Sequence, residues 1–214
     1  MVLLVDWMTS VSSFATSASE EVVPPSAKKL FYRYQDREHT ATEHATYLGA
    51  MFGVSIGAYY VSQSETISNN GSFKNWRSHF GHFVLDKDEP VWNWVVHPYS
   101  GSQLFLFYRA NGYSRIDSFF MTFIQSAFFE IFIEIYTEPA SIQDLYQTPV
   151  WGSILGIFLE KSSLYLLNSD FIIGKVFGHL LNPATLFWFY EGKIEIIPTI
   201  KNRDEAKLTF IINY

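Results

Sequence analysis

Residues 116–137 read IDSFFMTFIQSAFFEIFIEIYT, and the spacing of their polar groups decides the fold. Ser118, Thr122, Ser126, Glu130 and Glu134, followed by Glu138, stand four residues apart, while nearly everything between them is Phe, Ile, Met or Ala. A period near four is helical, and a strict i+4 row drifts by about 40° per step on a 3.6-residue helix. The polar groups therefore wind as a ribbon along a helix that is otherwise apolar, with an apolar face too wide for an ordinary surface helix. The run is long enough to cross a bilayer, yet carboxylates one turn apart argue against a simple lipid-exposed span. Ionisable groups set in such an apolar helix cost several kcal/mol to bury unless paired, which makes them better functional candidates than surface charges.

Downstream, Pro139 ends the helix, and Ser141-Ile142-Gln143-Asp144 reads as a capping box opening a short one. Thr148-Pro149 reads as an N-cap with proline in the first turn, starting a helix that carries Gly152 and Gly156 at GxxxG spacing. A further helix holds Gly174 and Gly178 before Asn182-Pro183. Upstream, residues 100–110 are helical up to Asn111-Gly112. His97, which precedes a proline, is expected in extended backbone that would hold its imidazole rigidly.

Residues 37–63 form another helix, with Gly49, Gly53 and Gly57 at i+4. Glycine costs about 1 kcal/mol relative to alanine inside a helix, so three on one face call for close approach by a neighbouring helix. The Gly152 and Gly156 face is the expected partner. Residues 64–71 end in Asn-Asn-Gly and read as a loop. In the tail, residues 192–214, the period changes from 3.6 to 2, predicting a hairpin with its turn at 201–205.

The fold class is thus mainly α: a compact helical bundle with glycine-faced, small-xxx-small helices and a C-terminal β-hairpin. Residues 1–36 are expected to be a degenerate export signal or a disordered N-terminus, 37–191 a helical membrane-associated domain, and 192–214 the hairpin. The first of these has a short apolar start and an Ala/Ser patch, but Asp6 interrupts it and a basic leading region is missing.

Of the 214 residues 48% are apolar, 18% aromatic and only 17% charged, against roughly 25% charged in an ordinary soluble domain. The shortage of polar surface predicts that membrane lipid or a protein partner covers the excess, and leaves room for a homo-oligomer. A net charge of -6 argues against nucleic acid, whose binders need a basic surface. With no cysteine, disulfides and thiolate chemistry are excluded. No cofactor is implied. His79 and His82 lack a third ligand at fixed spacing, and the Glu-x-x-His pattern of carboxylate-bridged metals is missing, so no metal is expected either.

The candidate chemistry lies in His97, Glu130, Glu134 and Ser126 as catalytic residues, with Arg109, Asn93, Tyr99 and Asp144 as a ligand-binding or structural network. If the helices on either side of Gly112 pack antiparallel, His97 and Arg109 approach the carboxylate ribbon. Arg109 would hold one carboxylate ionised, the second would have its pKa raised by burial and by its neighbour, and His97 would carry protons near neutral pH. A hydrolase would use Ser126 as nucleophile and His97 as base oriented by Glu130, although no Gly-x-Ser-x-Gly elbow surrounds Ser126. The structural alternative is a buried ion-pair network that fixes helix register without turnover.

The run from Asn93 through His97-Pro98-Tyr99 to Gly101, followed by Arg109, Gly112, Ser118, Ser126, Glu130 and Glu134 and then by Pro139-Ala140-Ser141-Ile142-Gln143-Asp144-Leu145, Thr148-Pro149-Val150 and Gly152, resembles a bacterial family of uncharacterised envelope proteins. Its members share an Asn-x-x-x-His-Pro-Tyr-x-Gly block and a Pro-Ser-x-x-Asp-Leu block; here Ala140 splits the second. The resemblance covers about residues 85–160 and implies a protein of the Gram-negative envelope, in periplasm or outer membrane, with no established activity. The expected function is accordingly a membrane-associated structural or interaction protein of the envelope. The alternative is an envelope enzyme acting on lipid or cell-wall substrate through His97, Glu130 and Glu134.

Overall fold

The computed structural model describes residues 32–85, 87–188, 194–202 and 205–212, with backbone alone for 187–188 and for the last two spans. The export-signal reading of residues 1–31 lies outside the described residues. Residues 32–36, expected to belong to that N-terminal extension, instead pack on the bundle: the Tyr32 amide donates to Asn168 Oδ1 at 3.0 Å and Asp36 pairs with Arg109. Beyond them the Arg37 amide reaches the Gly112 carbonyl.

Helix α1 (Ala41–Ser62) begins at a reciprocal cap. Thr40 Oγ1 accepts from the Glu43 amide at 3.3 Å, and the Glu43 carboxylate accepts from the Thr40 amide at 2.8 Å. Two short helices follow, α2 (Ser64–Asn70) and α3 (Phe73–His79). The first replaces the expected loop: its polar residues form about two solvated turns that stop where Gly71 sits against Ile67 O and the Tyr136 ring. Strand β1 (Phe83–Val84) then pairs in parallel with β2 (Ala140–Ser141).

Helix α4 (His97–Ala110) is preceded without a break by a π turn, Trp92–Val96. His97 is therefore helical, at φ -63° and ψ -48°, and not extended as its position before proline predicts. The wide turn explains this. Pro98 has no N–H to give to the turn before it, and the His97 amide reaches back five residues to the Trp92 carbonyl.

Helix α5 (Arg115–Phe128) continues through a π turn, Phe129–Ile133, and a 3-10 turn, Glu134–Tyr136. Helix α6 (Ile142–Tyr146) runs on through a third π turn, Gln147–Trp151, into α7 (Gly152–Leu167). Ser141 caps α6 as predicted, its Oγ accepting from the Asp144 amide at 3.2 Å. Thr148, however, lies inside this continuous helix and is not an N-cap. Helices α8 (Ile172–Leu181) and α9 (Thr185–Trp188) precede the antiparallel hairpin of β3 (Ile194–Asn202) and β4 (Glu205–Ile212), whose closing pair is Asn202 with Glu205.

Helix α4 is the centre, and α7 crosses it at a glycine seam. A Cβ added to Gly101 would stand 1.8 Å from the Thr148 carbonyl oxygen, and one added to Gly152 would stand 2.6 Å from Gly101 Cα. Gly156 covers the Phe105 ring, and Gly178 brings α8 onto Leu167. Gly152 and Gly156 are thus packing residues, but against α4 and not against α1. Gly49, Gly53 and Gly57 differ from expectation, since a Cβ at any of them meets nothing within 4 Å. Glycine spacing alone could not reveal Gly101 as the true partner, because it carries no repeat of its own.

The interior is small and polar, the exterior large and apolar. Ser102, Ser118, Thr122, Gln125, Ser126 and Ser153 are buried where α4, α5 and α7 meet. On the outer side of the same helices Phe120, Phe123, Phe128, Phe132, Ile154 and Phe158 are exposed, and α8 exposes Ile172, Ile173, Val176, Phe177 and Leu180. Two continuous helices, Arg115–Tyr136 and Ile142–Leu167, are long and apolar enough to cross a membrane.

Candidate functional site

The three π turns face one another across a cavity of about 320 Å³ that opens on one side. Each widened turn carries a polar residue into or beside it. The turn before α4 leads into His97, the turn after α5 holds Glu130, and the turn before α7 holds Thr148. Single-turn π bulges in helices are frequent at functional sites, because the extra residue turns a side chain away from the regular stripe. Ser126, Glu134 and Tyr99 also line the cavity, and α1 closes its apolar wall with Met51, Val54 and Ala58.

His97 is held at both ring nitrogens. Nδ1 lies 3.2 Å from Thr148 Oγ1 and Nε2 lies 3.4 Å from Asp144 Oδ1. Asp144 thus joins the site through α6. Thr148 was missed, because its place before Pro149 reads as a helix start.

Glu130 is 4% exposed. Its Oε1 accepts from the Ser141 amide at a short distance, and its carboxyl shares a hydrogen bond with Glu134. Burial pushes the Glu134 carboxyl well above the usual carboxylate range, and the adjacent Glu130 charge pushes it further. Burial raises Glu130 too, opposed by the hydrogen bonds from Glu134 and the Ser141 amide. Two carboxyls sharing one hydrogen bond need a proton between them, so Glu134 donates and Glu130 accepts.

The sign of the resulting pH dependence follows from linkage. A folded state that holds a proton the unfolded chain has lost is stabilised at low pH and loses that stability as pH rises from the ordinary glutamate value near 4.5. Glu134→Gln is therefore expected to raise the melting temperature at pH 8 while leaving it nearly unchanged at pH 4, read by thermal unfolding in a neutral maltoside detergent. Equal effects at both pH values would mean that the pair is not protonated in the folded chain.

Arg109 does not reach this site. It lies in a second network, where Nε donates to Glu160 at 3.0 Å and Nη1 to Asp36 at 2.7 Å and to the Tyr113 carbonyl, with the guanidinium over the Tyr34 ring. Arg115 adds a bond to Glu160 at 3.0 Å. The reason is helical phase: His97 and Arg109 are twelve residues apart, and the end of α4 that carries Arg109 lies against α7 and the N-terminal segment, away from the π turns. The carboxyl pair is consequently held by protonation and hydrogen bonds, with no arginine among its partners in the described residues.

Ser126 and His97 share the cavity wall, but both ring nitrogens of His97 are engaged by Thr148 and Asp144, so the arrangement needed for a serine nucleophile and its base is not formed. Asn93 is buried in the turn before α4, with its Oδ1 lacking a partner, while Tyr99 is exposed at the cavity mouth. Gln125, which the i+4 row passed over, is 1% exposed on the cavity wall, and neither its Oε1 nor its Nε2 has a hydrogen-bond partner. His79 Nδ1 meets the Ile135 carbonyl at 2.9 Å. Among the described residues no group of three His, Asp or Glu side chains is placed to hold a metal ion.

Fold and site together define a mainly α pocket protein whose cavity is backed by a carboxyl pair. Residues 82–184, slightly under half of the chain, match the family model described as "Domain of unknown function (DUF3943)". The match supports similarity to an uncharacterised family. It takes in all three π turns and leaves out α1, which forms the apolar wall of the cavity. No curated protein and no solved structure matches the chain.

Proposed function

We propose that this chain is a membrane-associated interaction protein of the Gram-negative envelope that holds a small amphiphilic ligand in the cavity between its π turns. The single observation that carries the reading is the inverted distribution of side chains. Large apolar residues stand outside, on α5, α7 and α8, while serines, threonines, Gln125 and Glu130 fill the seams. In water such a surface is unfavourable at about 25 cal/mol per Å² of exposed apolar area, and contiguous patches of this kind mark lipid or partner contacts. Small residues in helix seams are the corresponding device where lipid removes the hydrophobic drive for helices to associate. The blocks around His97 and Asp144 support the envelope assignment through their resemblance to envelope proteins, and these residues sit together at the cavity.

The enzyme alternative retains one favourable observation. Glu134, its carboxyl pushed well above the usual carboxylate range by burial and by Glu130, stands beside an open cavity and has the property of a general acid. Among the described residues no activated nucleophile stands beside it, so binding is preferred to turnover.

Flotation of the purified full chain with liposomes tests the proposal. The expected result is that the protein rises with the vesicles and aggregates when detergent is withdrawn. A chain that stays monodisperse without detergent and ignores vesicles would overturn it.

A further inference from the structure

We propose that the cavity binds an organic ammonium ion carried on an apolar chain, with the ammonium at the Glu130 and Glu134 end and the chain along the wall formed by α1. This deepens the ligand-holding reading above and rests on it. The first argument is charge. Glu130, Glu134, Glu138 and Asp88 line the cavity, and the basic side chain that lines it, His97, is already paired with Asp144. An anionic head group would meet four carboxyl groups. Arg109, the cation expected beside them, is bound to Glu160 and Asp36 elsewhere. A compact metal ion is disfavoured as well, since the described residues offer no set of three ligands for one.

The second argument is independent of the acidic groups. Gln125 is buried on the cavity wall with both amide atoms unpartnered, and a buried amide in that state is destabilising. Its oxygen can accept from an ammonium N–H, while its nitrogen can donate to a carboxylate that has given up its proton. The third is shape and surface. Tyr59, Trp92 and Phe129 present aromatic groups to the cavity, which attract cations, and Met51, Val54 and Leu104 supply an apolar lining for a chain.

The proton balance is defined. The empty site holds a proton on the pair. When the ammonium enters, Glu134 releases that proton to solvent and its carboxylate accepts an N–H from the ligand, so the occupied site carries the same net charge as the empty one and the released proton carries the balancing positive charge. The titratable groups facing the pair are Tyr59 from α1, Asp88 ahead of α4, His97 from α4, Glu138 after α5 and Asp144 from α6. Affinity accordingly rises with pH as the pair becomes easier to ionise.

Isothermal titration of the full chain in dodecyl maltoside at pH 7.5, with octylammonium, octanol and octanoate as probes, tests the inference. Octylammonium is expected to bind roughly 10- to 100-fold more tightly than octanol, in keeping with charge-assisted hydrogen bonds. Its heat is expected to differ between phosphate and Tris buffers, because a proton is released. Glu134→Gln should abolish both that preference and the buffer dependence of the heat. Displacement of octylammonium by lysophosphatidylethanolamine would identify a lipid head group as the source, and failure to displace it would identify a free amine. Octanol or octanoate binding as tightly as octylammonium would overturn the ammonium inference while leaving the pocket. No binding by any probe would overturn the ligand-holding reading too, independently of whether the protein floats with vesicles.

Discussion

Gly101→Ala is expected to be the most damaging single methyl group that can be added to α4. Its Cβ would fall 1.8 Å from the Thr148 carbonyl oxygen and 3.1 Å from Gly152 Cα, and both of these are backbone atoms. A flexible side chain could turn aside; a helix backbone can only move as a unit. Overpacking typically costs 1–3 kcal/mol and occasionally more. With backbone on both sides, a loss of about 3 kcal/mol or more is expected, partly offset by the roughly 1 kcal/mol that alanine gains over glycine in a helix. Gly53→Ala provides the control. No atom lies within 4 Å of its added Cβ, so only the helix gain remains, and a stabilisation of about 1 kcal/mol is expected. Denaturant unfolding of both variants in detergent reads the contrast. If Gly101→Ala were harmless, or Gly53→Ala destabilising, the glycine contacts of α4 and α1 would have been exchanged.

Arg109→Met should cost roughly 3–5 kcal/mol, the range for breaking a buried ion pair from one side. Glu160 is 2% exposed, and in the variant it keeps, among the described residues, only the half-exposed Arg115 as a cationic partner. The Asp36 contact, which ties the N-terminal segment to the bundle, is lost at the same time. The penalty arises from an uncompensated charge, so removing that charge should restore stability. Adding Glu160→Gln to Arg109→Met is expected to recover more than half of the loss, giving a coupling energy that a double-mutant cycle measures. Strict additivity of the two substitutions would show that the network does not hold the chain together.

Much of the helical architecture was legible because the i+4 ribbon of residues 118–138 and the capping residues Ser141 and Asp144 act locally. The hairpin was legible for the same reason, from the alternation in residues 207–214. What was hidden depends on contacts between distant parts of the chain. Gly101 has no periodic partner in sequence, so its meeting with Gly152 could not be read, and the glycines of α1 announced a contact that the described residues do not make. That His97 and the carboxyl pair line one cavity could not be read from the sequence, which left their meeting open. Arg109 does not join them, because a residue twelve positions along a helix falls on a side that only packing assigns. Gln125 was overlooked since it lies one residue off the ribbon, and the widening of the helix near Glu130 has no residue signature of its own.

That widening has a consequence for comparing this chain with others. A π turn accommodates one residue more than the α turn it replaces, and three of them gather here at one cavity. A relative in which one such residue has been deleted would keep the helix and lose the aim of the side chains beyond it, by about 100° of rotation. Single-residue gaps near 92–96, 129–133 and 147–151 therefore carry more information about this site than substitutions do. An ungapped alignment through them would superimpose glutamates that no longer face the same space.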